Sequence, residues 1–315
     1  MSDTIPAART GHALKKIHAA PTIAMQAIYA LEFALFWSVM MLFRGLGLRR
    51  ASDFGGWLAR KLGPMIPVTR RARRAMALAF PSMSEAERER NIVAMWDNLG
   101  RTFAEYPHLD KFWAEKPGAR IEISGMEHAM AAISKGRGGL FVSGHCGNWE
   151  TMPRCIADVG HKGTLVYRPP NNPWVDAWIV KQRKIGLPTL AAKGGDGARA
   201  IIKTLKENAF IAMLVDQKAN DGISVPLFGR PAMTSPAAPA LSIRHKAPVV
   251  PAWCERLPGQ RFRVTVYPEI QLPDTGDKTR DTYELALRLN QFLEARIAEN
   301  PANWLWLHSR WPKGS

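Results

Sequence analysis

From Arg120 onward, short apolar runs alternate with longer amphipathic stretches, and this alternation restricts the chain's fold more than any other feature. Ile121-Glu122-Ile123 reads as a strand, Met126 to Ser134 as a helix, and Gly139 to Ser143 as a buried strand. A helix over Thr151 to Val159, a strand over Thr164 to Tyr167 and a helix over Trp174 to Ile185 follow. The pattern continues with a helix at Ala198 to Lys206, a strand at Phe210 to Val215 and a helix at Pro236 to Arg244. Strands at Val249 to Cys254 and Arg263 to Tyr267 lead into a long amphipathic helix at Thr279 to Glu299. This order predicts an α/β fold: a mixed sheet flanked by helices. No linker, repeat or low-complexity tract interrupts it, so residues 119–315 are expected to form one domain.

The second of these strands runs into Ser143-Gly144-His145-Cys146-Gly147-Asn148-Trp149-Glu150. His145 therefore falls where a strand gives way to a helix, the usual place for chemistry in an open α/β sheet. A neutral imidazole can take a hydroxyl proton near pH 7. A carboxylate on its other ring nitrogen fixes the tautomer and stabilises the imidazolium. Glu150 is the expected carboxylate, reaching His145 across a turn that Gly144 and Gly147 allow to bend sharply.

Two more strand ends carry polar groups. Tyr167-Arg168-Pro169-Pro170-Asn171-Asn172-Pro173 is a loop by composition, and Arg168 has the chemistry to hold a phosphate. Asp216-Gln217 closes the Phe210 to Val215 strand. His145, Arg168 and Asp216 thus converge on one sheet edge, and Asn172 and Gln217 beside them are expected to face substrate. Phe228 to Thr234 reads as a loop in which Gly229 and Thr234 shape a pocket. The Trp304 to Trp311 stretch is dense in tryptophan, which suits core packing.

Ahead of the α/β region lies a different kind of sequence. After a polar tail (1–21), residues 22–43 hold only Gln26, Glu32 and Ser38 as clearly polar positions, long enough for a membrane-associated helix. Glu32 near its middle is costly for a full span. Residues 44–118 form a basic, helical, membrane-proximal region. Its arginines, from Arg44 to Arg74, place the main domain on the cytoplasmic side by the positive-inside rule and suit anionic headgroups. Ser84 and Glu87 form a capping box ahead of an apolar face at Ile92, Trp96, Leu99 and Phe103. The net charge is +16, which favours anionic partners; no nucleic-acid-binding motif accompanies it. The three cysteines form no metal-ligand or disulfide spacing.

Taken together, His145-x4-Glu150, Tyr167-Arg168-Pro169, Asp216-Gln217, Phe228-Gly229 to Thr234 and Trp306-Leu307-His308-x-Arg310-Trp311 resemble the lipid A late acyltransferases, the lauroyl/myristoyl transferase family. The His-x4-acid element is also shared with glycerol-phosphate acyltransferases. The resemblance covers roughly Thr22 to Trp311. It implies a glycerol-phosphate-acyltransferase-like fold in the bacterial inner membrane with a cytoplasmic catalytic domain. It implies acyl transfer from acyl carrier protein, or coenzyme A, to a hydroxyl of a membrane-held lipid A precursor, with no metal and no cofactor beyond the acyl donor. His145 would be the general base and Glu150 its partner, Arg183 a transition-state stabiliser and Asp216 the family's acid. Cys146 and the proline-rich Pro236-Ala237-Ala238-Pro239 stretch depart from the family pattern.

Other readings use the same residues differently. A hydrolase would take Cys146 or Ser143 as nucleophile, although the flanks of Ser143 lack the elbow pattern. A non-enzymatic membrane-binding protein would rely on the Arg44 to Arg74 cluster alone. An acyltransferase for a lysophospholipid, aminolipid or other glycolipid would share the catalytic residues and differ in its acceptor pocket.

Overall fold

The computed structural model of the protein describes residues 22–311 apart from 115–116, 159–161, 185, 188 and 193. The tail 1–21 lies outside the described residues, as do Val159 and Ile185, the expected last residues of two helices.

The chain opens on α1 (Ile23–Leu62), capped by the Thr22 hydroxyl, which accepts the Met25 N–H at 3.3 Å. The helix does not stop where the apolar segment does, at Phe43: it continues past it, broken by a kink at Gly47, whose φ of 74° and extended ψ are open to a residue without Cβ. α2 (Thr69–Ala79) and α3 (Glu85–Glu105) follow. The Ser84 hydroxyl caps α3 by accepting the Glu87 N–H. Ile92 and Trp96 are buried, and Phe103 meets Phe43 edge-on. α1 and α3 cross at very close range. A Cβ on Gly55 would lie 2.5 Å from the Gly100 carbonyl oxygen, and one on Gly100 only 2.3 Å from that of Gly55.

The α/β part runs β1 (Ile121–Ser124), α4 (Met126–Ile133), β2 (Leu140–Ser143), α5 (Met152–Asp158), β3 (Gly163–Tyr167), α6 (Pro173–Arg183), β4 (Thr189–Ala192) and α7 (Gly195–Lys206). It continues with β5 (Phe210–Leu214), β6 (Lys218–Leu227), β7 (Arg230–Thr234), α8 (Ala237–His245), β8 (Val249–Leu257), β9 (Arg261–Val266) and α9 (Lys278–Glu299). Seven strands form one sheet in the order β1-β9-β8-β2-β5-β3-β4. Every neighbouring pair is parallel except β8 and β9, so the sheet is mixed, as the alternation predicts.

Three strands escape the sequence pattern. β4, Thr-Leu-Ala-Ala, is too short and small-sided to register. β6 and β7 form a separate antiparallel ribbon turning at Phe228-Gly229. The expected Phe228 to Thr234 loop is therefore mostly strand. Prolines disguise it: Pro226 and Pro231 lie opposite each other, tolerated in a two-stranded ribbon where an N–H can go unused. The prolines of Pro236 to Pro239 fall at the start of α8, where the helix needs no N–H donors.

Strand alternation sorts the core into two layers. Leu140, Val142, Ile211 and Val249 pack with Leu205 of α7, Ala238 of α8 and Leu285 and Leu289 of α9. On the opposite face, Phe210, Val250 and Val266 pack against Ala129 and Ala132 of α4, while Leu165 and Ala212 meet Ile156 of α5. The chain thus leaves β2 toward the α5 face and leaves β5 toward the α8 face. Neighbouring parallel strands whose connections diverge in this way open a crevice at their C-terminal ends.

Candidate active site

His145 and Asp216 meet in that crevice, each two residues past the end of its strand. His145 Nδ1 lies 2.8 Å from Asp216 Oδ1, and the His145 backbone N–H donates to Oδ2 at 2.8 Å. The Trp304 indole N–H donates to the same Oδ2 at 2.7 Å. A carboxylate only accepts, so the proton of neutral His145 sits on Nδ1 and leaves a lone pair on Nε2. Burial pushes the Asp216 carboxyl upward, but the His145 charge and these three donors outweigh it and hold it well below the usual carboxylate range. Burial lowers His145 in turn, and the neighbouring Asp216 carboxylate more than compensates, so its pKa is raised.

The expected His145–Glu150 pair does not form. Past Gly147 (φ 53°), whose Cβ would strike the Cys254 carbonyl, the chain turns into a short 3-10 segment, Trp149–Thr151. This carries Glu150 toward α6. There Arg183 Nε and Nη2 donate to its two oxygens at 2.8 and 2.6 Å. The Tyr106 hydroxyl and the Trp149 indole N–H complete the carboxylate's shell at 3.2 and 3.1 Å. Burial disfavours the Arg183 charge, but Glu150 outweighs it and raises its pKa. Glu150 is thus the orienter of Arg183, and Asp216 that of His145.

A cavity of about 730 Å³, mostly apolar, opens onto both groups. His145, Glu150, Arg168, Arg183, Gln217 and His308 supply its polar wall. Below them its apolar lining comes from helices on both faces of the sheet, with Ile133 of α4, Ile156 of α5, Ile201 of α7 and Ala238 of α8 beside Phe141, Leu165, Ala212 and Val266. The shape suits a molecule with one reactive polar end and a long hydrocarbon tail. Arg168 is exposed at its rim.

Gln217 and His308 add a feature that sequence reasoning only half recovers. Gln217 Nε2 stands 3.2 Å from His145 Nε2 and 3.1 Å from His308 Nε2. Since Asp216 fixes the His145 lone pair on Nε2, the Gln217 group facing it must be the donating NH₂, and His308 accepts from the same nitrogen. Burial lowers the His308 pKa and keeps it neutral. His308 lies in the tryptophan-dense stretch whose Trp304 and Trp306 are buried, as packing predicts. That segment also fixes the histidine turn: the Leu305 N–H donates to the His145 carbonyl at 3.0 Å, and Gly147 N–H donates to Asn303 at 3.1 Å.

The remaining expected site residues are structural. Asn172, 5% exposed, caps α6 through the Trp174 and Val175 N–H groups and donates to the Tyr29 carbonyl at 2.9 Å and to Glu32 at 3.0 Å. Its donors and acceptor are spent on α1 and α6, so it does not face the cavity. Gly229, φ 67°, makes the β6–β7 turn. The buried Thr234 hydroxyl accepts from Arg310 at 3.0 Å and Asn290 at 3.2 Å. Arg310, fully buried, donates to the Asp216 carbonyl at 2.6 Å, and burial lowers its pKa to about 10. Its sequence signal was the tryptophan stretch, which gave no hint of this role.

Of the two alternative nucleophiles, Cys146 is closed off from the cavity, whereas Ser143 borders it. Cys146 is fully buried, accepts the Cys254 N–H at 3.3 Å, and burial drives its thiol pKa far up. Ser143 is buried beside it, 3.8 Å from the Cys146 sulfur. The site therefore brings a histidine–carboxylate pair and a carboxylate-held arginine to one mostly apolar cavity.

Comparison with known proteins identifies the family. Residues 22–313 match the family model described as bacterial lipid A biosynthesis acyltransferase. The chain is similar to a lipid A biosynthesis lauroyltransferase of Escherichia coli, 29% identical over 75% of this chain and 76% of that protein. It is 26% identical to a lipid A biosynthesis acyltransferase of Haemophilus influenzae, over 89% of this chain and 90% of the other. A phosphatidylinositol mannoside acyltransferase of Mycobacterium tuberculosis is 24% identical over 89% and 87%. The chain is an acyltransferase and belongs to the bacterial lipid A biosynthesis acyltransferase family.

Proposed function

We propose that the protein moves a fatty acyl group from an acyl thioester, carried by acyl carrier protein or coenzyme A, to a hydroxyl of a lipid A precursor at the cytoplasmic face of the inner membrane. The observation that carries the reading is the His145–Asp216 pair at 2.8 Å, which turns the His145 Nε2 lone pair to the cavity side, where it accepts from Gln217. The acceptor hydroxyl takes the place of the Gln217 amide at Nε2, which removes its proton, and the oxygen attacks the thioester carbonyl. The tetrahedral oxyanion collapses, an ester bond forms, the carbon–sulfur bond breaks, and the imidazolium returns its proton to the departing thiolate.

Arg183 is the group best placed to hold the oxyanion. The backbone N–H groups of His145, Cys146 and Gly147 are already committed to Asp216, Gly144 and Asn303. Glu150 takes Nε and Nη2 of Arg183 and leaves Nη1 on the far side of the fork. The acyl chain would lie in the apolar part of the cavity. Arg168, exposed at the rim, suits a phosphate on the acceptor headgroup.

The test is transfer of radiolabelled acyl groups from acyl carrier protein and from coenzyme A to a panel of acceptors: a tetra-acylated lipid A precursor, a phosphatidylinositol mannoside and lysophospholipids. The expected outcome is product on the lipid A precursor, abolished by His145→Ala. Product confined to the mannoside, the substrate in the name of the mycobacterial relatives, would keep the mechanism and change the acceptor. Near-normal turnover by His145→Ala would sink the mechanism itself.

A further inference from the structure

α1 is the helix among the described residues that is long and apolar enough to cross a membrane. Its two faces have different partners. Tyr29, Glu32, Phe33, Phe36, Met40 and Phe43 fall within an arc of about 100° at helical spacing, and this arc is docked on the catalytic body. Phe33 meets Trp174 and Phe36 meets Trp178 of α6 edge-on, at 6.0 and 5.1 Å between ring centres. Met40 and Phe43 are buried. Asn172 clasps the Tyr29 carbonyl and the Glu32 carboxylate. The polar residue that breaks the apolar run is thus a docking group. Opposite it, Ile28, Leu31, Leu35 and Leu42 form a stripe within an arc of about 60° that is open to solvent, Leu31 at 74% exposed.

A full crossing needs about 20 residues of helix in hydrocarbon, which would take nearly all of Ile23 to Phe43. Fifteen of those residues, Tyr29 to Phe43, run alongside the body. A crossing helix would therefore drag Asn171, Asp176 and the rest of the first two turns of α6 to the same depth as itself. Asp176, part-buried with Tyr167 as hydrogen-bond donor at 3.4 Å, would then be a carboxylate held at hydrocarbon depth. Beyond the Gly47 kink the apolar exposure continues at Trp57, Leu62 and Met65, now interleaved with the exposed cations Arg49, Arg50 and Lys61. Apolar side chains alternating with cations on an exposed helix match the boundary between acyl chains and anionic headgroups.

We infer that α1 lies lengthwise in the surface of one leaflet of an anionic bilayer and does not cross it. The Ile28–Leu42 stripe and the Trp57–Met65 stretch are its immersed face, and the catalytic body and the start of α1 stay on the same side. The bilayer then reaches the Arg168–Asn172 loop at headgroup level, beside the mouth of the cavity.

The experiment uses the full chain reconstituted in sealed phosphatidylethanolamine–phosphatidylglycerol vesicles. A double variant carries Thr22→Cys at the start of α1 and Lys203→Cys on the exposed face of α7. An impermeant maleimide is added outside, and labels per molecule are counted by mass. The native cysteines are all buried, and the wild type supplies their background. Same-side placement gives molecules with two labels or none, whichever way each inserted. A crossing gives one label on every molecule and overturns the inference. A fluorophore at Leu35→Cys supplies the second readout: quenching should be stronger by lipids brominated near the headgroup than by lipids brominated at the chain end. The reverse order, or no quenching because a second copy covers the stripe, also overturns it. Neither readout depends on acyl transfer, so this inference and the proposed reaction fail separately.

Discussion

Arg183 grips Glu150 with two nearly parallel hydrogen bonds of 2.8 and 2.6 Å, although Glu150 is the acid that sequence spacing assigns to His145. The site is therefore two pairs facing one cavity, a base with its carboxylate and a cation with its own. In the proposed reaction each carboxylate would serve a different step, so their removal should leave different signatures.

Asp216→Asn should lower kcat by about a thousand- to ten-thousand-fold, because an amide no longer fixes the His145 tautomer or stabilises the imidazolium. Activity requires neutral His145, whose pKa the Asp216 carboxylate raises. The acid limb of the wild-type profile should therefore lie above the ordinary histidine value and move to lower pH in the variant. A kcat/KM profile of both proteins checks the direction; a limb that stays in place would mean another group titrates.

Glu150→Gln should act through Arg183. The bidentate grip is lost, and the oxyanion loses its fixed cation, an effect of roughly a hundred- to a thousand-fold on kcat. KM for the acyl donor should change far less. Single-turnover kinetics with a saturating donor separates this from a binding defect.

Gln217→Glu replaces the NH₂ that faces His145 Nε2 with an acceptor. The added negative charge 3.2 Å from the ring favours the imidazolium, so the acid limb should shift to higher pH, opposite to Asp216→Asn. Gln217→Ala removes a donor that favours the neutral ring, so its limb should move in the same direction by a smaller amount. Profiles of the two variants side by side test whether the amide donates, as the Asp216 contact requires.

The floor of the cavity makes a steric prediction. Ala212 lies on the α5 face between Phe141 and Leu165 and borders the channel. Ala212→Phe should shorten the space for hydrocarbon and shift preference toward shorter acyl donors, with His145 chemistry intact. Competition between donors of different chain length, read by mass spectrometry of the product, decides it.

Gly100→Val should destabilise the protein by roughly 1–3 kcal/mol, since α1 and α3 must separate to admit the side chain. A denaturant midpoint in detergent measures this. The same substitution at the open Gly259 turn meets no atom within 4 Å but is strained by its φ of 78°, a control for backbone strain without overpacking.

Sequence and structure agree where a local pattern carries the information. Ile121 to Ser124, Phe210 to Leu214 and the long α9 are legible because apolar periodicity reports directly on burial. The placement of His145, Arg168 and Asp216 at one sheet edge follows from strand direction alone. Which carboxylate pairs with which cation is not local. It depends on β5 lying next to β2, a neighbour 71 residues away in sequence, and on a left-handed glycine that turns Glu150 aside. Spacing within one motif contains neither fact. Asn172 misleads for a related reason: a cap residue in a polar loop looks like a ligand until the helix it clasps, 140 residues earlier, is brought beside it.

The indole of Trp304 and the guanidinium of Arg310 both anchor Asp216, from 88 and 94 positions further along the chain. Synthesis runs from the N-terminus, so the histidine and its acid emerge from the ribosome well before the groups that lock them. A nascent chain thus holds the histidine and its acid before either locking group exists, and the site can be completed only when the last residues of the described chain have been made.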